Sequence, residues 1–414
     1  MQFKTTMKIP ASLCIRCRGA KKLCGLSYCP ISVESMTLTK TVSLKGKELE
    51  GSSPPSVFVG RYGYPKVQVY PSTPALHGNT SIYEDTGKWL AMDLEEFLSM
   101  RLSLMRGGRE IKVSAASSPD PFLQDVQLVG LSSTPTDVEI HLDKPLNQKE
   151  IVLSEYTPPM GPSAPLSRIR IGNAKLDRPV EKAYYDTDMK SMEAMALLYK
   201  SGIDISRISR ILSLGALGRG EDRKMVPTRW SITAADKNIS DQILVKVKRF
   251  PEIGEYEFYV RKVKGNLFCA ILSPKKWMFE WGEAWFPNTT WNYFSDTTET
   301  QIDHETYWGR KDYPDIGGCY YSSRLAVLEN MERRARQASA MIWREIYPGF
   351  NIPVGVWYVR ENLREMFRTK PERYSTFREA MARMSQYLTV PLERWTRNSM
   401  IWPLEMAGGL ERFA

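Results

Sequence analysis

Four cysteines stand close together near the start of the sequence, as Cys14-Ile-Arg-Cys17 and Cys24-Gly-Leu-Ser-Tyr-Cys29. A C-x-x-C pair turns two thiolates toward one point from a single tight turn, and a second pair closes a tetrahedron at about 2.3 Å per metal–sulfur bond. The expected occupant is one structural Zn2+, because four thiolates leave no open position for water or substrate. Two disulfides and an iron–sulfur cluster are the competing uses of the same residues; the first needs an oxidising compartment, and sets of four cysteines also hold iron. Arg16, Arg18, Lys21 and Lys22 surround the set with the positive charge that favours thiolates. Cys269 and Cys319 stand alone in apolar surroundings and read as buried small hydrophobes.

A second constellation is acidic. Asp303, His304 and Glu305, with Asp312 and Asp315 nearby, offer oxygen ligands of the kind that hold Mg2+ or Mn2+ in phosphodiester-cleaving sites. Asp186 and Asp188 make a smaller pair, and solvated loop carboxylates are the plain alternative for both. No nucleophile elbow, P-loop, dinucleotide fingerprint or HExxH motif is present, and three histidines (His77, His141, His304) leave little room for histidine-based catalysis. The reading therefore leans away from an enzyme, with a metal-dependent nuclease as the form an enzyme would take.

The third feature is positive charge. Lys and Arg number 57 against 47 Asp and Glu, a formal +10, which attracts polyanions such as nucleic acid. In the C-terminal third, Arg333, Arg336, Arg344, Arg364 and Arg368 are followed by further Arg and Lys, with Trp343, Trp357, Tyr374 and Trp395 between them. Guanidinium groups beside stacking rings suit a single-strand surface, although most such aromatics end in a core. No stretch approaches the roughly 18 apolar residues that span a bilayer, so the expected compartment is the cytoplasm.

These residues need elements to hold them. Pro54–Pro71 reads as two β-rich runs around a Gly/Pro turn, a hairpin with Arg61 and Lys66 near its tip. Asp93 caps an expected helix from Leu94 to Arg106, stopped by Gly107-Gly108. Short runs at Ile111, Val126-Gln-Leu-Val and Val138–Leu142 read as strands, and Pro158–Pro165 as a linker or ordered loop. A helix over Met189–Lys200, a Gly202 turn and a helix beginning at Asp204 outline a helix-turn-helix that is more often plain architecture than a DNA reader. Residues 243–272 alternate as antiparallel strands, and Arg324–Ile346 places its apolar residues on one helical face.

Five phrases carry a resemblance: the Cys14–Cys29 set, Pro55-Ser-Val-Phe-Val-Gly-Arg-Tyr-Gly-Tyr-Pro-Lys-Val67, Val226-Pro-Thr-Arg-Trp-Ser-Ile-Thr233, Gly317-Gly-Cys-Tyr-Tyr-Ser-Ser-Arg-Leu-Ala-Val-Leu328 and Pro353-Val-Gly-Val-Trp-Tyr-Val-Arg-Glu-Asn362. Together they resemble the archaeal Nre family. The resemblance implies a role in DNA damage repair, a zinc-finger-like N-terminal segment and a C-terminal peptide that docks on the replicative sliding clamp, PCNA. That peptide would read Gln-x-x-aliphatic-x-x-aromatic-aromatic; here the register gives Ala407, Leu410, Phe413 and Ala414, so the Gln and the second aromatic are replaced. Leu410 and Phe413 are the residues left to fill an apolar pocket, and a tail folded back on its own domain is the alternative.

The expected fold is α+β. A four-cysteine zinc module occupies 1–35, the body a mixed, largely antiparallel β-rich region with helices over 54–157 and 166–320, a basic helical region 321–400 and the tail 406–414. DNA is the expected partner, and an RNA-associated zinc protein is the other use of the same features.

Overall fold

The computed structural model describes residues 9–19, 21, 23–25, 29, 46–146 and 151–407. Among them, twelve strands form two six-stranded mixed sheets with helices between the strands, an α+β arrangement. The chain divides into two compact units: Met36–Gln242 with Val354–Tyr358, and Met1–Ser35 with Ile243–Pro353 and Val359–Ala414.

The first unit holds β1 (Glu48–Ser53), β2 (Val57–Val59), β3 (Lys66–Thr73), β4 (Met105–Lys112), β5 (Thr136–Leu142) and β6 (Ser163–Ile171), in the order β1-β5-β6-β4-β3-β2. Every pair is antiparallel except β4 with β6. On β5, Thr136, Val138, Ile140 and Leu142 are buried while Asp137 and Glu139 face solvent, the alternation of a half-buried strand. The helix Pro121–Leu131 packs on this sheet, with Leu123, Val126 and Val129 joining Ile140 and Leu142 in the core.

That helix corrects the expected strand at Val126–Val129. A short apolar run has no period of its own, and the deciding signal is the cap: Asp120 accepts from the Leu123 amide at 2.8 Å and Pro121 opens the first turn. The helix capped by Asp93 forms, but it ends at Leu102, and Gly107-Gly108 lie inside β4. A Cβ on Gly107 would sit 2.7 Å from Ile140 Cγ2, and one on Gly108 2.4 Å from the Tyr70 ring. The glycines serve close packing over a sheet, where a helix stop was expected. The helices Ser191–Lys200 and Ile205–Ser213 flank Gly202 (φ +80°), but the second is buried from Ile208 through Ser213, so it presents no face to a DNA groove.

The second unit holds β7 (Tyr256–Val263), β8 (Asn266–Ser273), β9 (Met278–Trp285), β10 (Glu299–Glu305), β11 (Ser339–Ile346) and β12 (Glu372–Tyr374), in the order β10-β9-β11-β8-β7-β12. Only β9 and β11 are parallel. β8 and β11 are buried along their whole length, as central strands covered on both faces are.

Two sequence expectations fail here. Arg324–Ile346 is not one helix: the helix Gly318–Arg334 ends at Ala335, which is left-handed (φ +49°), and β11 follows. A strand buried on both faces lacks alternation, so its apolar residues fit a helical period by coincidence. Residues 243–247 likewise belong to the helix Thr228–Val247, and the strands begin at Tyr256.

Inside this unit Trp343 and Trp395 stack with centroids 4.9 Å apart and planes within 6°, directly over Gly282. A Cβ there would lie 2.8 Å from Trp395 Cζ3 and 2.9 Å from Trp343 Cδ1. Gly282→Ala is expected to cost about 1–3 kcal/mol by overpacking, read as a lower denaturant midpoint at unchanged slope. Glu280, wholly buried on β9, accepts from the Met400 amide at 2.8 Å and the Ile401 amide at 3.1 Å, and so caps the helix Ile401–Ala407. Burial pushes its carboxyl up from the usual range, against the downward pull of its donors. Among the described residues no helix is long and apolar enough to cross a membrane.

Candidate functional site

Cys14 and Cys17 lie one turn apart on the short helix Ala11–Cys17, which opens after Pro10. Arg18 ends it in a left-handed conformation (φ +47°), its amide donating to the Cys14 carbonyl at 2.7 Å. Cys17 is buried, and Cys14, Cys24 and Cys29 are partly exposed. Burial, together with the charges of Cys29, Cys17 and Cys24, pushes the Cys14 thiol up to about 12. Among the described residues, no group of three or more His, Cys, Asp or Glu is gathered tightly enough to hold a metal ion. The chemistry of the donor set fits zinc. Residues 20, 22 and 26–28, between these cysteines, lie outside the described residues.

Arg18 departs from its expected place in a basic rim around the cysteines. It is buried: Nε donates to the Ile15 carbonyl at 2.9 Å, Nη2 reaches Glu283 Oε2 and Gln301 Oε1 at 3.3 Å each, and the guanidinium lies 4.9 Å from the Trp285 ring centre. The cysteine helix is thereby fastened to β9 and β10. Glu283 also accepts from Arg344 Nη1 at 2.9 Å, so one buried carboxylate serves two guanidiniums.

The acidic set is divided among structural tasks. Glu305 is buried and accepts from Trp277 Nε1 at 2.8 Å and Arg324 Nε at 2.9 Å. Asp303 accepts from Arg310 Nη1 at 3.0 Å and the Ile316 amide at 2.7 Å. His304, Asp312 and Asp315 are exposed. A two-metal site needs carboxylates converging on a shared space, and this set does not converge. Asp186 accepts from the Asp188 and Met189 amides, a local turn.

The basic residues also separate. Arg344 is buried on β11, bonded to Glu283 and, at 2.9 and 2.6 Å, to Asn266 Oδ1, so its guanidinium faces the interior. Arg364 is paired with Glu329 at 2.6 Å and Glu361 at 2.9 Å. Arg333 and Arg336 are exposed at the end of the helix Gly318–Arg334, Arg333 Nη2 reaching Asn330 and the Phe367 carbonyl. Arg368 is exposed and pairs with Glu365. Trp343, Trp357 and Trp395 are core residues and leave no ring face for stacking, while Tyr374 is half-buried with its hydroxyl donating to Glu372 at 2.7 Å. Arg61 and Lys66 sit at the β2–β3 tip, as expected, with Lys66 exposed and 4.0 Å from Glu110. Leu410 and Phe413 lie outside the described residues.

Two mixed-sheet units and an N-terminal cysteine helix fastened by a buried arginine define an α+β protein. The chain belongs to the archaeal Nre family: the model described as "Archaeal Nre, N-terminal" matches residues 23–292 and "Archaeal Nre, C-terminal" matches 305–413. It is 42% identical over 389 residues to the DNA repair protein NreB of Archaeoglobus fulgidus, covering 94% of this chain and 96% of that one. The DNA repair protein NreA of the same organism is 35% identical over 374 residues, covering 90% and 93% of the two chains. NreA of Haloferax volcanii is 34% identical over 377 residues, 89% of each. No solved structure matches the chain.

Proposed function

We propose that this chain is a cytoplasmic DNA-damage repair factor that binds DNA through exposed basic side chains and holds one structural zinc ion in its N-terminal segment. The observation that carries the reading is the near full-length similarity to three proteins named for DNA repair. The net charge of +10 and the exposed Arg333, Arg336 and Arg368 support a phosphate-binding surface. Zinc, when bound to Cys14, Cys17, Cys24 and Cys29, would cross-link the segment and supply no open coordination position for chemistry. Leu410 and Phe413 are proposed to dock on the sliding clamp PCNA; the C-terminal family match extends through both residues.

The test is duplex affinity against salt. Because each neutralised phosphate releases counterions, log K is expected to fall linearly with log salt. Arg333→Ala/Arg336→Ala/Arg368→Ala is expected to flatten that slope by about 1 for each phosphate that is no longer neutralised. Absence of binding at low salt overturns the reading, and tighter binding to RNA of the same sequence moves it to the RNA-associated alternative.

A further inference from the structure

The tip of the β2–β3 hairpin exposes aromatic surface that the hydrophobic core does not use. Tyr62 is 69% exposed, Tyr64 50% and Trp230 44%. Inward-facing Val57, Val59, Val67 and Val69 already anchor the hairpin in the core, so these rings are surplus to its packing. The tip is also built to hold them in place. Gly63 turns at φ +83°, where a Cβ would meet the Lys66 carbonyl at 2.8 Å, and the Lys66 amide donates back to the Gly63 carbonyl at 2.9 Å. The Val59 amide donates to Thr228 Oγ1 at 2.8 Å, and the Tyr64 ring meets Trp230 with centroids 5.3 Å apart. Hairpin and helix start thus present their rings together.

Cations accompany these rings. The Arg61 guanidinium lies 4.8 Å from the Tyr62 ring centre, and Lys66 pairs across the strands with Lys112, both exposed. Glu110 is the acid beside them. A hydrophobic protein partner would gain little from those charges. A nucleic acid strand gains from both parts, because every base has a face for a ring and every linkage has a phosphate for a cation.

We propose that the β2–β3 tip and the first turn of the helix Thr228–Val247 form a platform for unpaired bases of a DNA strand. Tyr62, Tyr64 and Trp230 stack on the bases, and Arg61, Lys66 and Lys112 contact the phosphates. The proposal rests on the DNA-binding function proposed for this chain and adds to it a preference for single-stranded over paired DNA. In a duplex the bases are stacked on one another and their faces are closed to side chains.

The test uses the full-length chain and fluorescence anisotropy with a labelled strand of about 12 nucleotides, within the range of single-strand sites, and the duplex of the same sequence. Tyr62→Ala/Tyr64→Ala, and separately Trp230→Ala, are each expected to weaken single-strand binding by about tenfold, leaving duplex binding within about twofold. Tyr62→Phe/Tyr64→Phe is expected to keep single-strand affinity, since the ring faces remain. Tyr62→Ala alone, at the most exposed ring, serves if the helix variant fails to fold. Unchanged single-strand affinity in the alanine variants, with wild-type DNA binding intact, overturns the platform and leaves the DNA-binding function standing. No binding of either DNA by the wild type overturns both.

Discussion

Glu283→Ala is expected to cost about 3–5 kcal/mol, a large share of the roughly 5–15 kcal/mol by which a domain is stable, and to do so by removing a carboxylate shared by two buried guanidiniums. Arg18 and Arg344 approach this carboxylate at 3.3 and 2.9 Å, and all three side chains are almost wholly screened from water. Arg344 keeps Asn266, and Arg18 keeps Gln301 and the Ile15 carbonyl, all neutral acceptors that do not replace the lost charge. Glu283→Gln keeps the shape and removes the charge, and should fall between. The measurement is denaturant unfolding by two probes, one of them proteolysis of the N-terminal segment. A loss below about 1 kcal/mol for the alanine variant would mean that water reaches the triad and screens it.

Cys17→Ser is expected to abolish stoichiometric zinc. Apparent binding energies for structural zinc in small peptides run to about 10–16 kcal/mol, so losing one of four bonds is the largest local change available to this segment. Cys17 directly precedes Arg18 and is buried, so the damage should travel along the helix: the Ala11–Cys17 turn loses amide protection together with its metal. Metal content after gel filtration, with chelator-triggered release as a cross-check, decides it. A variant that retains one zinc per chain would show that the ligand set is wrong.

How far the sequence could be read depended on what each residue faces. Asp93 and Asp204 were legible as caps because capping is local, and both accept backbone amides as their types suggest. The β2–β3 hairpin was legible because half-buried strands alternate. β11 was not, since its neighbours β8 and β9 bury both its faces and erase the alternation. On charge alone Arg344 looks identical to Arg336; a carboxylate 61 residues away in the chain decides that one is interior and the other exposed. Arg18 is interior for the same reason, its carboxylate partner lying 265 positions away. Tyr62 and Tyr64 were visible in the Gly-Arg-Tyr-Gly-Tyr-Pro phrase, but their exposure depends on the valines beneath them satisfying the core, which spacing does not reveal.

The bond from Arg18 to Glu283 spans 265 positions in the chain. At synthesis rates of about 5–20 residues per second, the cysteine helix leaves the ribosome roughly 10–50 s before the residue that fastens it is made. The unit built mainly from Met36–Gln242 lies almost entirely within that interval, whereas the one that takes in the first 35 residues also needs the last helices. For a nascent chain, then, the cysteine helix is made well before the strand that secures it, and its thiols wait through the synthesis of the whole first sheet.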